Sequence, residues 1–315
     1  MREIPMEAGN STAEGIGILA ILIIIILVTP KGPGSVTSSP TLTTGTSGSS
    51  GSLNYRAQGT VTADSPQARD ISLGTGNASY AYQSYEEYIT IDNVGRGSVD
   101  ITGWQLKNGK DERAYDLGGA LKYFSADRAV IPQAALFISP SGGNTFQNVV
   151  LESGETAVIT TGSMGPQSPY RIVSFKENIC SGYLEDLEEY TFTPPLNRSC
   201  PRPSDEPGVA GLDSECRRFV ERMSSCRTPK FDTRTPEGDI CRNCVNDQPL
   251  SSSCVAFIKN HFNYSSCIAY HRNDPDFSGR SWRIFLGRGW EMWAKEYETV
   301  SLFDQLGRLV SYRTY

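Results

Sequence analysis

Histidine is scarce in this 315-residue chain, which holds only His261 and His271. A histidine general base needs a nucleophile beside it, and the sequence places none in evidence next to either residue. Strongly basic segments are also missing. Residues 1–54, 55–178, 179–279 and 280–315 carry −1, −3, −4 and +2, for a net charge of −6. Tight phosphate neutralisation needs clustered cations, which this distribution does not advertise. No P-loop, GxGxxG, HExxH or GxSxG pattern occurs, so the common sequence marks of nucleotide binding, zinc proteolysis and nucleophile-elbow hydrolysis are absent. No cysteine lies outside Cys180–Cys267. No apolar run reaches the roughly 20 residues of a standard membrane-spanning helix.

The longest apolar run is Gly15–Val28, GIGILAILIIIILV, ended by Thr29-Pro30. Its length suits a secretory h-region, yet no A-x-A-like cleavage site follows, and Arg2 is outnumbered by Glu3, Glu7 and Glu14. A signal anchor is the leading reading, with a cleaved signal or a buried helix as alternatives. Arg2 and Lys31 leave orientation by basic residues undecided. Residues 32–54 begin with a Gly/Ser/Thr-rich run that cannot bury enough apolar surface to order itself, and so form a flexible spacer.

From Tyr55 to Phe175 the pattern is β. Ile89 and Ile91 alternate with polar neighbours, as do Val99 and Ile101, with Gly95-Arg96-Gly97 turning between the runs. Further strands are expected at Ala135–Ile138, Asn148–Leu151 and Thr156–Thr160, with a turn at Ser153-Gly154-Glu155. The same pattern resumes at the carboxyl end, with a strand at Thr299–Phe303, a turn at Asp304–Gly307 and a strand at Arg308–Tyr312. Short strands at such spacing indicate a sandwich. Gly103 permits a bend or close backbone approach, and Trp104 supplies a large buried anchor.

Glu87-Tyr88-Ile89-Thr90-Ile91-Asp92-Asn93, the Val99–Leu106 run with Gly103-Trp104, and Val300-x-Leu302-x-Asp304-x-x-Gly307-x-Leu309-Val310 ending at Tyr315 together resemble the lamin tail domain family. Val130-Ile131-Pro132 with Ser153-Gly154-Glu155 resembles that family's Pro and Pro-Gly-Glu region, with Ser153 in place of proline. The resemblance covers about 85–178 and 280–315. It implies an immunoglobulin-like β-sandwich in which Gly103, Trp104, Asp304, Gly307 and Tyr315 are structural. It further implies a bacterial exported or membrane-anchored interaction module of a kind often found beside nuclease or phosphoesterase units, though no such unit is visible here.

The departure from that family is the stretch 179–279, which contains all eight cysteines: Cys180, Cys200, Cys216, Cys226, Cys241, Cys244, Cys254 and Cys267. An even number in one stretch reads as a disulfide framework in an oxidising compartment. Asp213 or Ser214 can cap a helix to about Cys226, and Ser251–Ser253 a second one. Packed antiparallel, the two would bring Cys216 towards Cys267 and Cys226 towards Cys254, leaving Cys180 with Cys200 and Cys241 with Cys244. Zinc or redox use of the Cys241-x-x-Cys244 pair is the alternative to a structural bond.

Trp290 and Trp293 are three apart and would meet on one helix face, giving core packing. The sharper alternative is an aromatic ligand surface of Trp290 and Trp293 with Arg280, Arg283 and Arg288, stacking sugars or bases or gripping acidic polymer. Asn77, Asn197 and Asn263 head glycosylation acceptor patterns. Asp274-Pro275-Asp276 reads as a turn rather than a calcium loop.

The sequence is therefore expected to be mainly β. A signal anchor or transmembrane helix lies at 1–31, a linker at 32–54, the first part of the sandwich at 55–178, a disulfide-stapled α-helical insertion at 179–279 and the final strands at 280–315. The expected function is non-catalytic: a single-pass membrane protein, held through residues 15–28, that presents its bulk outside the cytoplasm to a protein, glycan or nucleic-acid ligand, without a cofactor or metal. Surface capture of DNA is one alternative, and a hydrolase using His271 another.

Overall fold

A computed structural model of the chain describes residues 64–315, apart from 111–113, 117, 124, 166, 235–240 and 246–247. The expected membrane segment and spacer lie outside the described residues. Among the described residues no helix is long and apolar enough to cross a membrane.

The strands run β1 (Ile71–Gly74), β2 (Tyr88–Asn93), β3 (Val99–Asp100), β4 (Gln105–Lys107), β5 (Ala114–Asp116), β6 (Leu121–Tyr123), β7 (Arg128–Val130), β8 (Ala134–Ala135), β9 (Phe146–Gln147), β10 (Val150–Leu151), β11 (Thr156–Thr160) and β12 (Phe175–Asn178). Helices α1 (Gly182–Glu185) and α2 (Ser214–Val220) follow, then the short pair β13 (Cys244–Val245) and β14 (Gln248–Pro249), then α3 (Ser252–His261) and α4 (Tyr264–His271). The chain returns to β structure in β15 (Ser278–Phe285), β16 (Thr299–Phe303) and β17 (Leu309–Thr314).

One sheet has seven strands in the order β1-β2-β11-β15-β12-β8-β9; another has four, β17-β16-β4-β7. Pairing is antiparallel except between β11 and β15 and between β12 and β8. The alternation legible in β2 and β16 is the physical cause of their placement: Ile89, Ile91, Val300 and Leu302 point inward while their neighbours face out. Both sheets feed one buried cluster, with Ile91, Ile159 and Trp282 from the first and Trp104, Leu106 and Leu302 from the second. Gly103, at φ +77°, makes the turn that swings Trp104 into this cluster.

Asn93 holds the joint where β2 and β11 give way to β3 and β10. Its buried amide donates to the carbonyls of Leu151 (2.7 Å) and Gly97 (2.8 Å), and its oxygen accepts from the Gly95 N–H (3.0 Å). A buried amide satisfied in this way fixes the crossing that the Gly95 and Gly154 turns allow.

The opposite face of the seven-stranded sheet receives the insertion, whose core joins Phe175 and Ala135 to Cys180, Val220, Ile258, Tyr264 and Phe277. Period two along β15 puts Trp282 and Ile284 in the inter-sheet core and turns Arg283 to the other side, in register with Val158 and Phe175. Arg283 is only 5% exposed. Its Nε donates to Glu177 Oε1 (2.5 Å), and its two terminal nitrogens donate to the carbonyls of Pro194 (2.6 Å) and Pro195 (2.8 Å). Glu177 Oε2 accepts the Asn197 N–H at 3.1 Å. A second link is the buried Tyr264, whose hydroxyl accepts from the Ile138 N–H (3.0 Å) and donates to the Ile138 carbonyl (2.9 Å).

Within the insertion, Asp213 and Ser251 cap α2 and α3 through side-chain oxygens. Helix α2 ends at Val220, short of the expected Cys226, where the chain takes a positive φ of 60°. The disulfides are Cys180–Cys267, Cys200–Cys226, Cys216–Cys254 and Cys241–Cys244. Of the expected pairs only Cys241–Cys244 is present. The others are corrected because Cys216 and Cys254 each lie in the first turn of their helix, so α2 and α3 are joined at their starts and not packed start to end.

Arg283→Ala leaves the Glu177 carboxylate buried without its cation, at an expected cost of about 3–5 kcal/mol. Replacing both residues with methionine returns most of that loss. Urea unfolding of the two variants checks this; an unchanged midpoint for Arg283→Ala contradicts it.

Candidate ligand-binding surface

The segment joining β15 to β16 forms neither helix nor strand, yet buried polar side chains pin its backbone. Glu87, with no solvent exposure, accepts the N–H groups of Met292 (2.7 Å) and Trp293 (3.3 Å). Burial pushes its carboxyl above the ordinary range, against the pull of those donors. Glu298, equally buried, accepts from the N–H groups of Gly109 (2.7 Å), Ala294 (3.0 Å) and Thr299 (2.7 Å). Asn108 donates to the Met292 carbonyl (2.8 Å), and the Tyr315 hydroxyl to the Ala294 carbonyl (3.1 Å). Met292 and Trp293 thereby become core residues.

The outer side of the same segment carries Trp290, 62% exposed, together with the exposed Tyr297, whose φ of 54° is unusual for an aromatic residue. The loop before β2 adjoins it: Gly162 donates to the Ser84 carbonyl (2.6 Å), and Gly287 to the Gly162 carbonyl (3.4 Å). That loop displays Tyr82, 71% exposed, and Tyr85. Lys295 Nζ sits 3.3 Å from the centre of the Tyr82 ring, tying the two loops together through a cation–π contact.

The aromatic surface expected from the sequence is thus only partly assembled. Trp290 is on it. Trp293 is not, because the segment is not helical and Glu87 draws its backbone inward. Arg283 is not, because strand alternation buries it against Glu177. Arg288 is half-buried, 3.6 Å from Asp127, and donates to the Arg128 carbonyl at 2.6 Å. Arg280 points elsewhere, to the Ser153 carbonyl at 2.9 Å. Nothing local in the sequence marks Tyr82 and Tyr85; only the tertiary contact through Gly162 brings them here.

Asp304 accepts the N–H groups of Leu306 and Arg308 (both 2.9 Å) and so closes the final hairpin, in which Gly307 takes φ +75°. Tyr315 pairs its backbone with Glu298. Asn77 is buried and bonded to the backbone of Glu86 and Tyr88, and Asn263 caps α4, whereas Asn197 is exposed. Asp274 sits in a turn whose carboxylate faces His271.

Both histidines converge on one buried carboxylate. Glu206 approaches His271 Nε2 at 3.1 Å and His261 Nε2 at 3.9 Å, while His271 Nδ1 meets Asp274 at 2.7 Å. His261 lies between the rings of Phe257 and Tyr270. With both ring nitrogens of His271 occupied by carboxylates, none is left to face a nucleophile in this arrangement. No group of three or more potential ligands suited to a metal ion occurs among the described residues. A groove of about 690 Å³ opens on the insertion beside Phe219 and Met223; of its cations, Arg227 pairs with Asp186, Lys230 pairs with Glu188, and Arg222 donates to the Arg218 carbonyl at 3.0 Å.

No known family model matches the chain, and no curated protein matches it.

Burial opposes charge on His271, but its bonds to Asp274 and Glu206 outweigh that and raise its pKa. Burial lowers the pKa of His261, aided by His271 and opposed by Glu206. A raised folded value gives stability fully present below the unfolded value of about 6.5 and lost as pH rises through the folded one. His261 acts in the opposite sense: its contribution is present above the unfolded value and lost as pH falls. His271→Gln is therefore expected to cost more stability at about pH 5.5 than at about pH 8.5. Urea midpoints at the two values check this, and an equal loss at both contradicts it.

Proposed function

We propose that the chain is a non-catalytic binding protein, tethered to a membrane through residues 15–28 and presenting residues 55–315 outside the cytoplasm. The observation that carries the binding role is the segment 286–298, where Glu87, Asn108 and Glu298 fix an irregular backbone directly after the solvent-exposed Trp290. Holding an exposed aromatic ring on a pre-ordered loop removes part of the entropy cost of association. Exposed aromatic residues of this kind are over-represented where proteins bind.

The compartment is argued from cysteine pairing. All eight cysteines are in disulfides, which persist in oxidising surroundings and are rare in a reducing cytosol. The apolar run at 15–28, followed by a Gly/Ser/Thr-rich stretch, supplies the tether. The two-sheet core with Gly103-Trp104 and the Asp304–Gly307 hairpin supports a lamin-tail-like, immunoglobulin-like module interrupted by the disulfide-linked insertion.

The test uses the full chain, made under oxidising conditions and held in mild detergent, passed over immobilised glycans, DNA and candidate proteins. Retention on one class, lost when Trp290 and Tyr82 are both changed to alanine, is the expected result. Retention on none, or retention that this double variant keeps, overturns the reading. DNA binding that weakens steeply as salt rises would shift the assignment to nucleic-acid capture.

A further inference from the structure

We infer that the surface of Trp290, Tyr82 and Tyr85 binds a neutral oligosaccharide or polysaccharide; this rests on the binding role proposed above and names its ligand class. Three observations carry it. The first is chemical. The faces of exposed Trp and Tyr rings suit the C–H faces of sugar rings, a contact that needs no ligand charge. Trp290 and Tyr82 are well exposed on two adjoining loops that the Ser84–Gly162–Gly287 contacts hold against each other.

The second is electrostatic. A phosphate polymer or an acidic glycan needs cations able to pair with it. Here the two cations of segment 286–298, Lys295 over the Tyr82 ring and Arg288 beside Asp127, are outnumbered by Glu291, Glu296 and Glu298. Carboxylates beside aromatic rings repel a polyanion but accept hydrogen bonds from sugar hydroxyls. The balance therefore selects a neutral, hydroxyl-rich ligand.

The third is rigidity. Five hydrogen bonds to Glu87, Glu298 and Asn108 fix the backbone from Met292, two residues after Trp290, to Thr299, and the Ser84–Gly162–Gly287 contacts hold the Tyr82 loop against the start of the same segment. Sugar stacking is weak per ring, so a site that orders its rings before binding gains most from them.

The full chain, disulfides formed and solubilised in mild detergent, is tested by affinity electrophoresis and pull-down on amylose, cellulose, chitin and β-1,3-glucan. Retention on at least one is expected, unchanged between about 50 and 200 mM salt. Trp290→Ala should weaken it by roughly tenfold or more, and Trp290→Tyr should restore part of the loss. Since Trp104, Trp282 and Trp293 are buried, a saturating soluble fragment of the retained glycan should perturb the emission of one exposed tryptophan, a readout that needs no substitution. Retention on none of the four glycans overturns the inference, as does glycan binding that Trp290→Ala leaves intact. Capture of a purified protein or of DNA, lost on Trp290→Ala but without glycan retention, overturns the ligand class while leaving the binding role standing.

Discussion

The guanidinium of Arg283 is the constraint on which the arrangement of the two halves depends. It lies in the middle of β15, the strand that re-enters the sheet after about a hundred residues of inserted chain, and it faces away from the inter-sheet core. Its ion pair with Glu177 and its bonds to the Pro194 and Pro195 carbonyls bring charge into a space water has left. Such a pair adds little net stability compared with apolar packing, but breaking it leaves a buried charge and costs several kcal/mol. Its value lies in register. The 194–197 segment supplies partners to both the guanidinium and the carboxylate, which ties the insertion to the sheet at this point.

The same use of buried polar groups recurs in the segment between β15 and β16. Glu87 and Glu298 have no solvent exposure, and each directs its carboxylate to main-chain N–H groups of a segment that has no ladder of its own. Satisfying those donors lets an irregular segment be ordered, and an ordered irregular segment can turn one aromatic residue in and the next out. Trp293 goes to the core and Trp290 to solvent. The disulfides do the corresponding work in the insertion. Cys180–Cys267 closes 87 residues of sequence and Cys216–Cys254 closes 38, each lowering the entropy of the unfolded chain by the equivalent of about 4–5 kcal/mol.

Local pattern was enough for much of the sheet. Thr156–Thr160 and Thr299–Phe303 form strands with the expected bounds, and the Asp304–Gly307 turn, the Asp213 cap and the Ser251 cap stand where short-range rules put them. What local pattern could not supply was partner choice across distance. Cysteine pairing depended on how α2 and α3 meet. The burial of Arg283 follows from the phase of β15, a strand that the sequence pattern does not mark, and its partner carboxylate lies 106 residues earlier. Glu206 and His271 are 65 residues apart, so their meeting leaves no local trace. A helical reading of Trp290 and Trp293 failed because a three-residue spacing is only a helical signal when a helix forms, and Gly287, Gly289 and the Glu87 clamp prevent one.

If Arg283 and its partners weld the insertion to the sheet, the described residues should lose structure together. Native-state hydrogen exchange followed in increasing denaturant reads this most directly. The account predicts that the protected amides of α3 and α4 share their opening free energy with those of β11 and β15, converging on one global unfolding event. Amides of the insertion that open at markedly lower free energy while the sheet stays protected would show two independent bodies and contradict it.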